Sequence, residues 1–215
     1  MALKLYGIAA SRASRPLWFL EEVGVAYEHI QTDYRKAQSR TAKFLMLNGN
    51  GHIPVLDDDG IIVWESMACS LYLARKYANH GGLQLGAQNL SEEAEVLRWT
   101  FWTVTELEKD ALTVLMHRMV MPAEKRDPVL AEQAEKRLKV PLRVLETHLQ
   151  SKAHLKANAY LAADRFTVAD INVASVMLWL RAAQELLVQF PAVHSWLQIC
   201  LARPAQQRVR SMARA

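Results

Sequence analysis

The stretch Ser11-Arg12-Ala13-Ser14 places two serines at the spacing of the Cys-x-x-Cys motif of redox proteins. It follows a short apolar run and leads into an amphipathic helix pattern. Backbone N–H groups and the helix dipole at such a position favour an anion, and Arg12 and Arg15 add positive charge. Two interpretations stay open: the serines cap the helix, or they donate hydrogen bonds to a thiolate that a substrate brings.

A second stretch, GHIPVL, places Pro54 at the first residue of a predicted strand, where a missing N–H is tolerated. A cis bond between Ile53 and Pro54 would free the backbone N–H and C=O of Ile53 for an extended peptide ligand. Further on, Glu65 and Ser66 open a predicted helix. Ser66 and nearby N–H groups suit a carboxylate, while Glu65 suits an ammonium or simply complements the helix dipole.

The elements that carry these residues follow the order β-α-β and then β-β-α. Strands are predicted at LKLYGI and AYEHIQT, helices at RPLWFLEEVG and ESMACSLYLARKYA, and a hairpin at IPVLDDDGIIVWES. The first two strands are close enough in sequence to form a parallel βαβ unit. This order predicts a thioredoxin-like α/β domain, whose chemistry lies in the loop after the first strand.

The alternation of predicted strands and helices stops after Tyr77, where a glycine-containing stretch begins. The predicted organisation is a thioredoxin-like domain over residues 1–78, a glycine-containing linker over 79–90 and an all-α helical domain over 91–215. The helical domain is expected to open with a long helix from Ser91 to about His117. Its later helices are predicted from about Pro128 to Lys152 with Pro141 inside, from Thr167, and within PAVHSWLQICLA.

The gross composition excludes several classes of function. The chain has 215 residues and a net charge of +4, and part of the basic excess is a tail, 203–215, with four arginines and no acid. No basic face with interleaved aromatics accompanies it, which predicts no nucleic-acid partner. No apolar run approaches the roughly 18 to 20 residues of a membrane span, which predicts no membrane partner.

The cysteines and histidines point away from disulfide and metal chemistry. Cys69 and Cys200 are far apart in helix-like sequence and are expected to be buried thiols in a reducing cytoplasm. The seven histidines show no ligand spacing, so no metal is expected.

Three motifs in this order, LYGIAASRASRPLWFLEE, GHIPVL followed by WESMACSLYLARKY, and FTVADI, resemble those of soluble, cytosolic-type glutathione transferases. The similarity is to a bacterial-like, serine-type (theta-like) transferase and covers nearly the whole chain. It implies a thioredoxin-like glutathione-binding domain followed by an all-helical domain. FTVADI also has a purely structural account, because Thr167 and Asp170 form a capping box at a helix start.

The resemblance assigns roles to the second stretch. The residue before the family's cis-proline matches Ile53, whose backbone would pair with the cysteinyl part of glutathione, and the proline itself matches Pro54. Glu65 and Ser66 match the pair that holds the γ-glutamyl end. His52 matches a position that often contacts the glycyl carboxylate.

The family divides by the group that stabilises the thiolate. Ser11 matches the serine of the theta-like type, and we predict that it is the catalytic hydroxyl. Tyr6 roughly matches the tyrosine-type position, although the favoured interpretation is an aromatic strand residue packed in the core. Ser14 would replace Ser11 if the loop alignment shifts.

The helical domain is expected to line an apolar electrophile pocket with the helix face nearest the first domain. Thr103, Glu106 and Met116 are candidates by position, while Leu97, Phe101 and Val104 recur at helical spacing and are expected in the core.

The resemblance therefore implies a cytoplasmic, homodimeric glutathione transferase. It would use glutathione as co-substrate, without a metal, to conjugate small apolar electrophiles in detoxification. Two alternatives stay open: a glutathione-dependent isomerase or reductase, and a non-catalytic protein-interaction module of the same fold.

Overall fold

The computed structural model describes residues 3–77, 79–153 and 160–214. Its internal contacts divide the chain into two compact units. Unit 1 comprises Met1–Ala87 together with Ala202–Ala215, and unit 2 comprises Gln88–Leu201. The predicted division at 1–78, 79–90 and 91–215 stays a prediction, and its first boundary lies outside the described residues.

The sheet belongs to unit 1 and has four strands in the order β2-β1-β3-β4. Their bounds are Leu3–Gly7 (β1), Glu28–Gln31 (β2), Val55–Asp58 (β3) and Ile61–Trp64 (β4). β1 and β2 are parallel, while β1–β3 and β3–β4 are antiparallel, as the predicted βαβ unit and hairpin require. The hairpin turns at Asp59 and Gly60, which both have positive φ angles.

The α-helices are α1 (Ser14–Val23), α2 (Ala42–Leu45), α3 (Ser66–Lys76), α4 (Leu90–Trp102), α5 (Glu108–Leu115), α6 (Pro128–Ala153), α7 (Val168–Met177), α8 (Gln184–Leu187), α9 (Pro191–Leu201) and α10 (Pro204–Met212). Short 3-10 turns occupy Tyr34–Lys36, Gln38–Arg40, His80–Gly82, Ala123–Lys125 and Leu178–Ala182. Two π-helical turns, Thr103–Leu107 and Met116–Val120, follow α4 and α5. This thioredoxin-like sheet domain and helical unit are the predicted fold class.

Helix α1 carries the core of unit 1. Its apolar face buries Leu17, Trp18 and Leu20 completely, and α3 and α10 both pack against it. The helix ends at Gly24, whose left-handed φ of 67° lets its N–H donate to the Leu20 carbonyl at 2.9 Å. The helix predicted at RPLWFLEEVG has this glycine as its last residue.

The last segment of the chain is a helix rather than a tail. Arg203 donates to both carboxylate oxygens of Glu22, at 2.6 and 2.8 Å. Arg208 donates to the Glu21 carboxylate at 2.6 Å and to the Glu21 carbonyl at 2.7 Å. The interpretation of 203–215 as a basic tail is wrong, because two of its arginines are paired with acids of α1 in unit 1.

The first helix of unit 2 starts earlier than predicted. Asn89, not Ser91, is the N-cap of α4, and its side chain accepts a hydrogen bond from the Glu92 N–H at 2.9 Å. The predicted continuous helix to His117 is instead α4, a π-helical turn, α5 and part of a second π-helical turn.

The core face predicted for α4 is also wrong within the single chain. Leu97, Phe101 and Val104 are 39%, 63% and 47% exposed. Helical spacing shows that these residues share a face, but it does not show what covers that face. The buried face of α4 instead carries Val96, Trp99 and Thr100.

Asp170 and Glu146 are buried carboxylates of unit 2 that accept hydrogen bonds from backbone N–H groups near helix starts. The Asp170 carboxylate forms the predicted capping box with Thr167 and also accepts hydrogen bonds from the Leu161 N–H and Trp196 Nε1. Glu146 accepts the backbone N–H groups of Ala192 and Val193 at the start of α9. These buried carboxylates provide acceptors for N–H groups that have no partner within their own helix, which supports the structural interpretation of FTVADI.

Both cysteines are free and buried. Burial raises the pKa of the Cys69 thiol to about 12, so it stays protonated at neutral pH. Among the described residues, no helix combines the length and apolar character that crossing a bilayer demands.

Candidate active site

Ser11 lies in the turn between β1 and α1. Its hydroxyl donates to the Ile8 carbonyl at 2.6 Å, and its Oγ accepts from the Ala13 N–H at 3.1 Å. The N-cap of α1 is Ala13, which makes no side-chain capping bond. Ser11 therefore closes the turn that precedes the helix and is not its side-chain cap.

The two alternatives to Ser11 have free hydroxyls. Ser14 is the first residue of α1 and half-buried, and Tyr6 is a half-buried residue of β1. The Tyr6 ring meets Phe44 edge-on, with centroids 6.2 Å apart. Within 3–77, 79–153 and 160–214, neither hydroxyl has a hydrogen-bond partner.

Arg15 connects the turn to the start of α3. Its side chain is buried, with 2% exposed, and Nη1 donates to Ser66 Oγ at 2.7 Å. Arg12 is exposed beside it in sequence. Arg15 therefore contacts Ser66, a residue predicted to bind glutathione.

The loop before Pro54 is organised by Asn48, which sequence reasoning missed. This buried side chain donates from Nδ2 to the His52 carbonyl at 2.9 Å and accepts the Asn50 N–H at 3.0 Å. Gly51 has a φ of 63°, which an L-residue rarely adopts. Asparagine and glycine between two predicted elements were the available signal for a structured turn.

The Ile53–Pro54 peptide bond is cis. Pro54 is buried, Ile53 is half-buried and the His52 side chain is exposed. Across the described part of the chain, neither the N–H nor the carbonyl of Ile53 makes a hydrogen bond. Both groups remain available to an external strand-like ligand.

Glu65 has a strained backbone. Its φ of 68° and ψ of 117° are unusual for a side-chain-bearing residue, and its side chain is exposed. Ser66 follows as the first residue of α3 and is 4% exposed. The N–H groups at this helix start lack intrahelical partners and give it anion-binding character.

Sheet register brings the three stretches to one edge of the sheet. Tyr6 pairs with Val55, so the turn after β1 lies beside the residues that precede β3. Val55 pairs in turn with Trp64, so Glu65 and Ser66 follow at the same edge. Within the described ranges, no three His, Cys, Asp or Glu side chains cluster as a metal site would require.

Gly7 permits the close approach of the turn to β1. A Cβ on Gly7 would come within 2.7 Å of the Ala13 Cβ and 3.6 Å of the Ile53 Cβ, and φ is 148°. The residue at the end of β1 therefore has no room for a side chain.

The three pocket candidates belong to unit 2. Thr103 is fully buried and its hydroxyl donates to the Trp99 carbonyl at 2.7 Å. Glu106 is exposed and Met116 is half-buried. Their assignment to an electrophile pocket stays a prediction, and the burial of Thr103 weighs against its contacting a substrate.

Comparison with known proteins gives two family matches that follow one another along the chain. Residues 1–75 match the glutathione S-transferase N-terminal domain, and residues 109–204 match the glutathione S-transferase C-terminal domain. The chain belongs to the glutathione S-transferase family. It is a glutathione transferase enzyme, and unit 1 contains the matched N-terminal domain.

Relatives of this transferase match over nearly their full length. Glutathione S-transferase 4 of Zea mays is 33% identical over 97% of this chain and 92% of its own. Glutathione transferase F7 of Populus trichocarpa is 27% identical, with a TM-score of 0.87 over 99% of both chains. A glutathione S-transferase I structure bound with lactoylglutathione is 28% identical, with a TM-score of 0.83 over 99% of this chain and 100% of its own.

Proposed function

We propose that this transferase binds glutathione in an extended form along Ile53, stabilises its thiolate with Ser11 and transfers the sulfur to an apolar electrophile. The observation that carries this proposal is the backbone of Ile53 next to the cis Pro54, whose N–H and carbonyl have no hydrogen-bond partner among the described residues. An extended peptide satisfies both groups at once, as an added strand does. The lactoylglutathione bound to a relative of the same fold supports a ligand of this class.

The two ends of glutathione find matching chemistry beside Ile53. The γ-glutamyl carboxylate would accept hydrogen bonds from the Ser66 hydroxyl and from N–H groups at the start of α3. The exposed Glu65 carboxylate would pair with the γ-glutamyl ammonium. The exposed His52 side chain would approach the glycyl carboxylate.

The thiolate would compete with a carbonyl for the Ser11 hydrogen. In the free protein this hydrogen goes to the Ile8 carbonyl. A thiolate is a charged acceptor, and hydrogen bonds to charged groups are roughly twice as strong as neutral ones. Rotation of the hydroxyl toward sulfur keeps the Ala13 N–H on Oγ, which polarises the hydroxyl further. The pKa of bound glutathione then falls and more thiolate exists at neutral pH.

The thiolate sulfur attacks an electrophilic carbon, forming an S–C bond. With an aromatic halide, the halide leaves with its bonding electrons. This chemistry consumes reactive apolar compounds, which fits a role in detoxification. Glu106 and Met116 are the accessible candidates for contact with the electrophile.

The thiolate step is tested by ultraviolet difference spectroscopy of bound glutathione across pH. Ser11→Ala is expected to raise the bound thiol pKa by about one unit or more, because a charge-assisted hydrogen bond is worth about 1.5–3 kcal/mol. Ser14→Ala and Tyr6→Phe are the matched controls and should leave it unchanged. An unchanged pKa in Ser11→Ala, with a raised one in either control, would transfer the role to that residue.

The subclass and the location are proposals of the same kind. The serine-type assignment rests on Ser11, while the theta-like and bacterial-like parts rest on motif resemblance alone, and the Zea mays and Populus trichocarpa relatives described above are plant proteins. A cytoplasmic location is supported by the two free, buried cysteines.

We also propose a homodimer in which a second copy covers the exposed face of α4 and its π-helical turn. Leu97, Phe101 and Val104 form this apolar face. Size-exclusion chromatography with light scattering should give twice the 24.4 kDa chain mass. Phe101→Asp should shift it toward the monomer, whereas Val140→Asp, a change at another exposed apolar residue on α6, should not. A monomeric wild-type protein would refute the proposal.

A further inference from the structure

We propose that Arg15 is a positioning residue that makes the Ser66 hydroxyl a dedicated hydrogen-bond donor for the γ-glutamyl carboxylate. This inference rests on the proposed glutathione site and adds to it the origin of its carboxylate selectivity. The contact that carries it is the 2.7 Å hydrogen bond from Arg15 Nη1 to Ser66 Oγ. It joins α1 to α3 across 51 residues of chain.

The hydrogen-bonding capacity of its hydroxyl decides which ligand groups Ser66 can bind. A hydroxyl has one hydrogen to donate and lone pairs that accept. In Ser66 a lone pair is used by Arg15, and within the described residues no acceptor lies within hydrogen-bond distance of its hydrogen. The Ser66 hydrogen and one remaining lone pair are therefore unused, and the neighbouring cation favours use of the hydrogen over the lone pair.

Arg15 cannot change this polarity. A guanidinium has five N–H donors and no acceptor, and it stays protonated in proteins. With 2% of Arg15 exposed and Ser66 4% exposed, water has little access to the contact. The Ser66 hydrogen must therefore point away from Arg15, and the cation polarises the hydroxyl into a stronger donor.

The start of helix α3 supplies a second hydrogen-bond donor, which also favours a negatively charged ligand. Ser66 is the first residue of α3, so its backbone N–H lacks an intrahelical acceptor. A carboxylate at this position would meet the hydroxyl and a backbone N–H together. An ammonium here would meet a hydroxyl that already accepts from the Arg15 cation, and the like charges repel, which leaves ammonium recognition to Glu65.

The test compares three thiols with the full-length protein. Glutathione has both the carboxylate and the ammonium. Glutaryl-cysteinylglycine keeps the carboxylate and lacks the amine, while 4-aminobutyryl-cysteinylglycine keeps the amine and lacks the carboxylate. The measurement is kcat/KM for each thiol with one aromatic halide, together with the bound thiol pKa.

Arg15→Gln presents an amide carbonyl to which the Ser66 hydrogen can turn. It is expected to lower kcat/KM about tenfold for glutathione and for glutaryl-cysteinylglycine, through KM. The value for 4-aminobutyryl-cysteinylglycine should stay within about twofold, because that thiol makes no carboxylate contact. Arg15→Lys, which also has donors only, should recover most of the loss.

Ser66→Ala provides a measurement that does not depend on the folding of an Arg15 variant. It should reduce the preference for carboxylate-bearing thiols, because only the backbone N–H donor remains, and adding Arg15→Gln to it should cause no further loss. An intact preference in Ser66→Ala would overturn the inference. So would an equal loss on all three thiols in Arg15→Gln, which is the result of simple destabilisation.

Failure of the underlying glutathione site has a different signature. The wild-type enzyme would then show no preference among the three thiols. A wild-type preference that Arg15→Gln leaves unchanged would refute only the role of Arg15.

Discussion

Arg203 and Glu22 form a bidentate ion pair across 181 residues of chain. The same Glu22 carboxylate accepts Trp18 Nε1 at 2.8 Å and is 6% exposed on its side chain. The pair holds α10 against α1, the helix whose first turn carries Ser14 and Arg15. The end of the chain thus supports the helix that leads out of the candidate site.

Breaking this pair should destabilise the protein. Arg203→Ala leaves a largely buried carboxylate with one neutral partner, and we expect a loss of about 2–3 kcal/mol in unfolding free energy. Urea denaturation followed by tryptophan fluorescence measures it. Arg210→Ala, an exposed arginine on the same helix, is the control and should cost less than about 0.5 kcal/mol. Equal losses of unfolding free energy in the two variants would show that the Arg203–Glu22 ion pair does not stabilise the protein.

Gly7→Ala should damage unit 1. The new Cβ would lie 2.7 Å from Ala13 Cβ, at a φ of 148°. Both the clash and the strained backbone disfavour it, and we expect a cost of about 2 kcal/mol or more together with weakened glutathione binding. Gly49→Ala is the control, because a Cβ there meets nothing within 4 Å. Thermal melting and glutathione titration report the two effects, and wild-type values for Gly7→Ala would contradict the close approach.

The start of α4 allows two candidate caps to be compared. Asn89→Ala removes the acceptor for the Glu92 N–H and should cost about 1 kcal/mol. Ser91→Ala, at an exposed position inside the helix, should be neutral within about 0.5 kcal/mol. Urea midpoints distinguish them. The reverse ranking would restore Ser91 as the cap.

Glu92 should make the stability of unit 2 dependent on pH. The two hydrogen bonds from Arg165, at 2.9 and 2.6 Å, hold the pKa of this carboxyl below its usual value of 4.5. A lowered folded-state pKa contributes stability that is present above the usual pKa and is lost as pH falls through the folded value. Glu92→Gln should therefore cost about 1 kcal/mol at pH 7, and this difference should vanish in acid.

Urea titrations at a series of pH values from 7 down to 3 measure that difference. Glu124→Gln, at an exposed glutamate in a 3-10 turn, serves as the control and should show no such trend. A Glu92→Gln cost that is independent of pH would refute an ionic contribution.

Much of unit 1 was predictable because its signals are local. Asp59-Gly60 suits the hairpin turn, Gly24 suits a helix C-cap, and the short β-α-β spacing requires a parallel pair. Ile53, Pro54, Glu65 and Ser66 were recognisable by motif. Sheet register then brings these separate motifs to one edge.

Several of the missed features depend on partners distant in sequence. Arg15 was noted only for its positive charge at the helix start; its burial was not predicted, because a charged side chain is rarely buried without a partner and the partner of Arg15 lies 51 residues away. The arginines of α10 were read as a tail, because their acids lie 181 and 187 residues earlier. Leu97, Phe101 and Val104 were read as core because periodicity identifies a face without identifying its neighbour.

The hydrogen bond from Ser11 to Ile8 was also beyond sequence reasoning. Sequence predicts that a serine hydroxyl is present at the turn, but the direction of its hydrogen depends on local backbone geometry. The chemistry of the residue was predictable, whereas its resting partner was not.

The contribution of α10 to unit 1 has a consequence for synthesis on the ribosome. Unit 2 is one continuous segment, whereas unit 1 needs residues from both ends of the chain. When residues 1–87 have left the exit tunnel, Glu21 and Glu22 still lack Arg208 and Arg203, which are translated 187 and 181 residues after them. Unit 2 is therefore the first unit whose residues are all present, although the first segment of unit 1 precedes it. The order in which the units can be completed is the reverse of the order in which they are begun.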